Sequence, residues 1–378
     1  MIRTAIKFMR YDRSKSIGII VGIVISIFLI GQQLGTLSFI TEVMGGLMNN
    51  ANPQSGQIWV VGKATQNVNV LTHLDSRLVR EIRSIKGVEN TYPIVVANAS
   101  ITLPDGKSSP IVLIGSDAPV FAGGPNKTKI IKGKRFSLTQ TNTVSAEYFD
   151  AKALNTELSL GAPLEINGKH ATIAVETKNA QAFGGHYMYA NLNNARFYAD
   201  FPSHKVSIIA VKTSQEANTQ QVVQRINKTF FSVKAWQIDQ LKESTIKKLL
   251  STTNMGVSFG TLVIFAIITG FFIIGLTLYS AVLDRLKDYG TFKAIGATNG
   301  YVRKLIFTQA ILFALIGFII ALGLLIAFKQ GVAQAGLIIA LSPQLIILLF
   351  IITLFISVGG SLFAIRKINK LEPASVFK

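Results

Sequence analysis

The residue types that usually carry chemistry are missing here or badly spaced for it. Gly106-Lys107-Ser108 has the tail of a phosphate-binding loop, but Ile101 stands where its first glycine belongs. Pro104-Asp105-Gly106-Lys107 reads instead as a hairpin turn between two apolar runs. The four histidines, His73, His170, His186 and His204, show no HExxH spacing, and the chain has no cysteine. A haem or metal pair of His186 with Met188 or Tyr187 is the sharpest reading of them; surface or packing roles account for them better. Neither a nucleophile elbow nor paired carboxylates emerge. The expectation is a protein that is not an enzyme and holds no cofactor. Lys127, Lys129, Lys132, Lys134 and Arg135 put five cations in nine residues. They read as a solvated loop or as a contact to anionic lipid or an acidic partner.

Composition explains why no site stands out. Of 378 residues, 49% are apolar and 15% charged, and the apolar ones cluster in long runs, as in a membrane protein with a polar insert. The net charge of +19 is not gathered in one block, and no nucleic-acid motif accompanies it. Ten of those nineteen charges fall in three short segments, 1–16, 284–304 and 365–378, which carry +4, +3 and +3. By the positive-inside rule these segments are cytoplasmic, and four spans are the simplest path that joins them.

The expected order follows from the runs. Residues 1–16 form an amphipathic helix on the inner membrane surface, with Ile2, Ala5, Ile6 and Met9 on one face. Span one covers 17–41, and no small-x-small cleavage site follows it as a signal peptide would require. Residues 42–250 are extracytoplasmic. Segments 42–126 and 201–250 read as a split ferredoxin-like α+β unit with stalk helices, and 127–200 as an inserted β-rich part with a hairpin at Asn167-Gly168. Within the split unit, strands are expected at 92–96 and 100–103, and a helix from Ser214. Span two is 251–283, the hinge 284–304, span three 305–328, span four 344–364 and the tail 365–378. The fold class is an α-helical membrane protein with four transmembrane helices and a large α+β domain between the first two. Gly18-x-x-x-Gly22, Gly31-x-x-x-Gly35 and Gly256-x-x-x-Gly260 could let helices approach closely in a dimer. The spans hold no charge, which argues against an ion pathway through them.

The hinge is the most specific stretch. Leu286, Tyr289, Phe292 and Lys293 fall on one helical side. Ile295 closes a short helix, Gly296 fits a left-handed stop and Thr298 can cap the next helix. Such a stub, tied to a span at each end, is a lever that a soluble partner could push.

The run Asp288 to Ala297, DYGTFKAIGA, resembles the acidic-x-Gly-x-x-basic-Ala-x-Gly-Ala signature of the MacB/FtsX-like permeases of ABC transporters, the type VII fold. The ending Pro373-Ala374-Ser375-Val376 is similar to theirs. Asp288, Tyr289 and Ser375 depart from the usual residues and leave the subfamily open, with the DevC-like exporters closest. The resemblance implies a homo- or heterodimer of permeases in the bacterial inner membrane, both termini cytoplasmic, served by two copies of a separate ATPase. A periplasmic adaptor and an outer-membrane channel can complete such machines, and membrane lipids surround them. It implies ATPase coupling through Arg285, Lys287, Asp288, Tyr289, Gly290, Phe292, Lys293, Gly296 and Ala297. A second contact would use Arg366, Lys367, Lys370 and Pro373. The expected function is export or extraction of a hydrophobic or peptide-like substrate by mechanotransmission. The alternative is FtsX-type signalling that controls a cell-wall hydrolase and moves nothing.

Overall fold

The computed structural model describes residues 1–154 and 158–369, and the chain divides into two compact units. One is Met1–Phe39 with the chain from Met255 onward; the other is Ile40–Asn254. Lys370, Pro373 and the Pro-Ala-Ser-Val ending lie outside the described residues, as does the side chain of Lys367.

The chain opens with α1 (Ile2–Tyr11) and α2 (Arg13–Met44), then a single turn, α3 (Gly46–Asn49). There follow β1 (Ile58–Gly62), β2 (Leu74–Asp75), α4 (Leu78–Arg83), β3 (Val88–Thr102), β4 (Ser108–Ser116), β5 (Ile130–Gly133), β6 (Thr143–Glu147) and α5 (Tyr148–Ala153). Next come β7 (Pro163–Ile166), β8 (Lys169–Thr177), β9 (His186–Ala190), α6 (Leu192–Tyr198), β10 (Lys205–Val206), β11 (Ile208–Thr213), α7 (Thr219–Thr229), β12 (Val233–Gln237) and α8 (Ile238–Thr252). The last elements are α9 (Met255–Leu283), α10 (Leu286–Ala294), α11 (Asn299–Ala333) and α12 (Pro343–Asn369).

In the α+β unit, β12, β1, β11 and β3 lie side by side and antiparallel, the strand order of a ferredoxin-like sandwich. Ile82 of α4 and Val222 and Ile226 of α7 are buried in one core with Ile58, Val60 and Ile209. The two strands expected at 92–96 and 100–103 are a single strand, β3. It stays continuous because β4 pairs with it from Ile94 to Thr102. Its far end also takes β7, and through β7, β8 and β9 the strands of 127–200 join the same sheet. The β7–β8 turn has positive φ at Asn167 and Gly168, as a two-residue hairpin of this twist needs. The helix expected from Ser214 begins five residues later. Asn218 is the better cap, because its side chain accepts from the Gln220 and Gln221 amides at 2.9 and 3.3 Å, while the Ser214 amide is held by the Gly87 carbonyl.

Four helices, α2, α9, α11 and α12, are long and apolar enough to cross a membrane. The uncharged run 249–283 is not one helix: α8 stops at Thr252 and Asn254 takes φ +55° before α9. In α2, Ile19, Ile23, Ile27 and Ile30 are buried, and Ile17, Val21, Ile25 and Leu29 form an exposed stripe. Apolar residues on both faces fit a helix solvated by hydrocarbon. Close approach is made by glycines. A methyl at Gly22, Gly31 or Gly317 would come within 3.0 Å of Ile273, Leu325 or Ile23. Gly275 and Gly360 bring the backbones of α9 and α12 together, and a Cβ on Gly360 would sit 3.0 Å from the Gly275 nitrogen. Gly18 has Thr277 at 3.9 Å and Gly35 has Ile339 at 2.6 Å, so these glycines serve contacts within one chain. Gly260 meets nothing within 4 Å, and Gly256 lies in the first turn of α9.

Candidate coupling site at the hinge

Helix α10 is fixed at its far end by its own sequence. Gly296 adopts φ +102°, which lets the Ala297 amide reach the Phe292 carbonyl at 2.8 Å and the Gly296 amide reach Lys293 at 3.0 Å. That pair of bonds is a Schellman stop, and only glycine takes the required φ without strain. Thr298 then starts α11, its hydroxyl accepting from the Tyr301 amide at 3.2 Å.

The inner side of α10 is held by α1. Arg285 is buried; its Nη2 donates to the Phe8 carbonyl at 2.8 Å, and its guanidinium lies over the Phe8 and Tyr11 rings at 4.6 and 5.0 Å. Phe8 also meets Tyr289 at 5.7 Å and stacks on Phe292 at 6.1 Å. Tyr289 is 2% exposed, and burial pushes its phenol up to about 12, against the opposing pull of its hydrogen bond with Gln309. It therefore stays neutral at physiological pH. Below the hinge, Lys15 pairs with Asp284 and donates to the Ser280 hydroxyl at 3.3 Å, joining α2 to the end of α9. A planar, always-charged guanidinium between two rings and a carbonyl is a rigid joint.

The outer side differs. Lys287, Asp288, Thr291 and Ala294 are exposed, and Ile295 projects at the tip, 80% exposed. Of the sequence-predicted residues, Arg285, Tyr289 and Gly290 thus face inward, Phe292, Lys293 and Ala297 are half-buried, and Lys287, Asp288 and Gly296 face out. Arg366, on α12, is exposed. Sequence reasoning missed Phe8, Tyr11 and Lys15, and placed Ile295 at the close of the helix without its outward exposure. The available signal was the pairing of aromatics and opposite charges between the two short segments flanking the spans.

Elsewhere several of the chemistry-bearing residues are engaged in contacts within the α+β unit. His186 Nδ1 pairs with Asp150 at 2.7 Å, which raises the imidazole above its ordinary value despite burial. Among the described residues no group of His, Asp or Glu is placed to hold a metal. In the cationic run, Lys129 donates to Asn50 at 2.5 Å, Lys132 pairs with Glu176 at 3.0 Å and Arg135 is buried over Phe121. Gly106, at φ +81°, closes the turn after β3.

Residues 260–373, from within α9 through the hinge and past α12, match the family described as FtsX-like permease C-terminal. The chain is 27% identical over 169 residues to the cell division protein FtsX of Bacillus subtilis strain 168, across 42% of this chain and 56% of that one. It is 25% identical over 178 residues to that of Bacillus anthracis, across 44% and 59%. It thus spans between 56% and 59% of the length of these curated relatives. Among solved structures, it is similar to the extracellular domain of the noncanonic ABC-type transporter YknZ from Gram-positive bacteria. That likeness has a TM-score of 0.36 at 14% identity, over 47% of this chain and 98% of that one. The periplasmic region of MacB from Actinobacillus actinomycetemcomitans gives 0.37 at 12% identity, over 54% and 96%.

Proposed function

We propose, from the premise that this chain is an FtsX-like permease of ABC-transporter type, that α10 is the part on which a separate ATPase pushes. The observation that carries the reading is the asymmetry of α10. Its inner face is locked to α1 by Arg285 and Phe8, while its outer side ends in Ile295, which is 80% exposed. A locked inner face passes a displacement on to α2, α9 and α11 instead of absorbing it. In this reading both termini and α10 are cytoplasmic, two permeases bind two ATPase subunits, and the α+β unit lies outside. Nucleotide-driven movement of the spans drives export or extraction of a hydrophobic or peptide-like substrate there, with an adaptor and outer channel where an outer membrane exists. ATP hydrolysis is left to the partner.

The test is co-purification from native membranes. Lys287→Glu with Ile295→Asp alters only outward side chains, so the permease should be made and inserted but lose its ATPase. Retention of the ATPase by that variant would sink the reading.

A second reading has its own support, since both curated relatives are cell division proteins. Here the same lever moves the external unit to control a cell-wall hydrolase, and no substrate crosses. Efflux from vesicles that needs ATP and stops with a hydrolysis-dead ATPase favours export. Hydrolase activation without efflux favours signalling.

A further inference from the structure

Between α1, the start of α2 and α11 runs a groove of about 420 Å3. Its walls are aliphatic, among them Ile6, Ile17 and Ile316, which are 38, 59 and 38% exposed. Its charged lining is Arg10 and Arg13. We propose that this groove binds one anionic phospholipid, with an acyl chain along the isoleucines and the phosphate between the two arginines.

Three observations select that occupant. The groove follows two membrane-crossing helices. At about 1.5 Å per residue, its wall at Ile20 lies roughly 10 Å along α2 from Arg13, a depth that suits a chain entering the bilayer beneath its headgroup. The charge at the mouth is of one sign. Among the described residues no carboxylate lines it, Asp12 lining instead a small cavity together with Lys15, and neither arginine has an ion pair there. A zwitterionic lipid would bring its own cation to that mouth, and an apolar helix from a second copy would leave two guanidiniums desolvated without a partner. An anionic lipid satisfies walls and mouth together.

The site adjoins the hinge. Met9 and Arg10 line the groove, and Phe8 beside them holds Arg285. A bound lipid would therefore grip the same turn of α1 that clamps α10. The inference rests on the groove alone and stands apart from any ATPase partner.

The experiment is native mass spectrometry of the full chain in detergent, with phosphatidylglycerol and phosphatidylcholine of identical acyl chains. The wild type should retain one phosphatidylglycerol in preference by about thirtyfold, given an attraction of about 1 kcal/mol for each of two basic residues to anionic lipid. Arg10→Gln with Arg13→Gln should abolish that preference and leave phosphatidylcholine binding as it was. Arg3→Gln with Lys7→Gln removes the same charge from α1 outside the groove and should keep it. Equal retention of both lipids by the wild type, or an equal loss in the Arg3 and Lys7 variant, would overturn the proposal. So would competition by glycerol phosphate as strong as by the lipid, which would mark a soluble-anion site, or displacement of lipid by a second copy of the chain.

Discussion

Arg285 shows how far a residue's partner can lie from it in the sequence. A basic residue beside a span reads as surface, and its partner Phe8 is 277 positions away, so nothing local reveals that it turns inward. Gly296 and Thr298 were legible because a helix stop and an N-cap depend only on their immediate neighbours. Arg285→Ala should remove a charge-assisted hydrogen bond and a cation–π stack and lower stability by about 2 kcal/mol. Arg285→Lys should recover little of it, since an ammonium cannot span both rings and the carbonyl. Thermal unfolding of the purified chain in detergent measures both. His186 makes a different prediction. Asp150 raises its folded value above the ordinary 6.5, so the pair's stabilisation is complete below that pH and lost as pH rises through the raised value. The thermal midpoint should therefore fall more between about pH 6 and about pH 9 in wild type than in Asp150→Asn.

The elements were read best where one period or one turn decides them. The four apolar helices, the β7–β8 hairpin and α10 are of that kind. Where partners decide, the sequence was silent. β3 is one strand because β4 holds it from Ile94 to Thr102. The uncharged run 249–283 divides between α8 and α9 around Asn254, which composition does not mark as a break. The glycine pairs were read as positions of close approach, but their spacing could not say which helix they would meet, and Gly260 meets nothing within 4 Å. Gly317→Val should press on Ile23, where even a Cβ would lie 2.5 Å from its methyl, and cost about 1–3 kcal/mol. Gly260→Ala, with open space around it, should stabilise α9 by up to about 1 kcal/mol through helix propensity. Resistance to unfolding in graded denaturing detergent should rank the two variants on opposite sides of wild type.

At the scale of the molecule, hydropathy picked out the four long apolar helices before any contact was known, because a bilayer imposes its constraints on runs of sequence. It could not give the clamp of α1 on the hinge, which is a tertiary contact, and so it left the outward face of α10 unresolved. That face is the centre of the account, and the absence of cysteine from the chain makes it directly testable. A single Ile295→Cys substitution, treated in native membranes with a short bismaleimide, should join the chain to an ATP-binding protein of separate origin. Tyr289→Cys on the buried face should not react. Adduct formation at Ile295 that strengthens or fades with nucleotide is the predicted result. A fully labelled Ile295→Cys that yields no ATPase adduct under any nucleotide condition would contradict the lever.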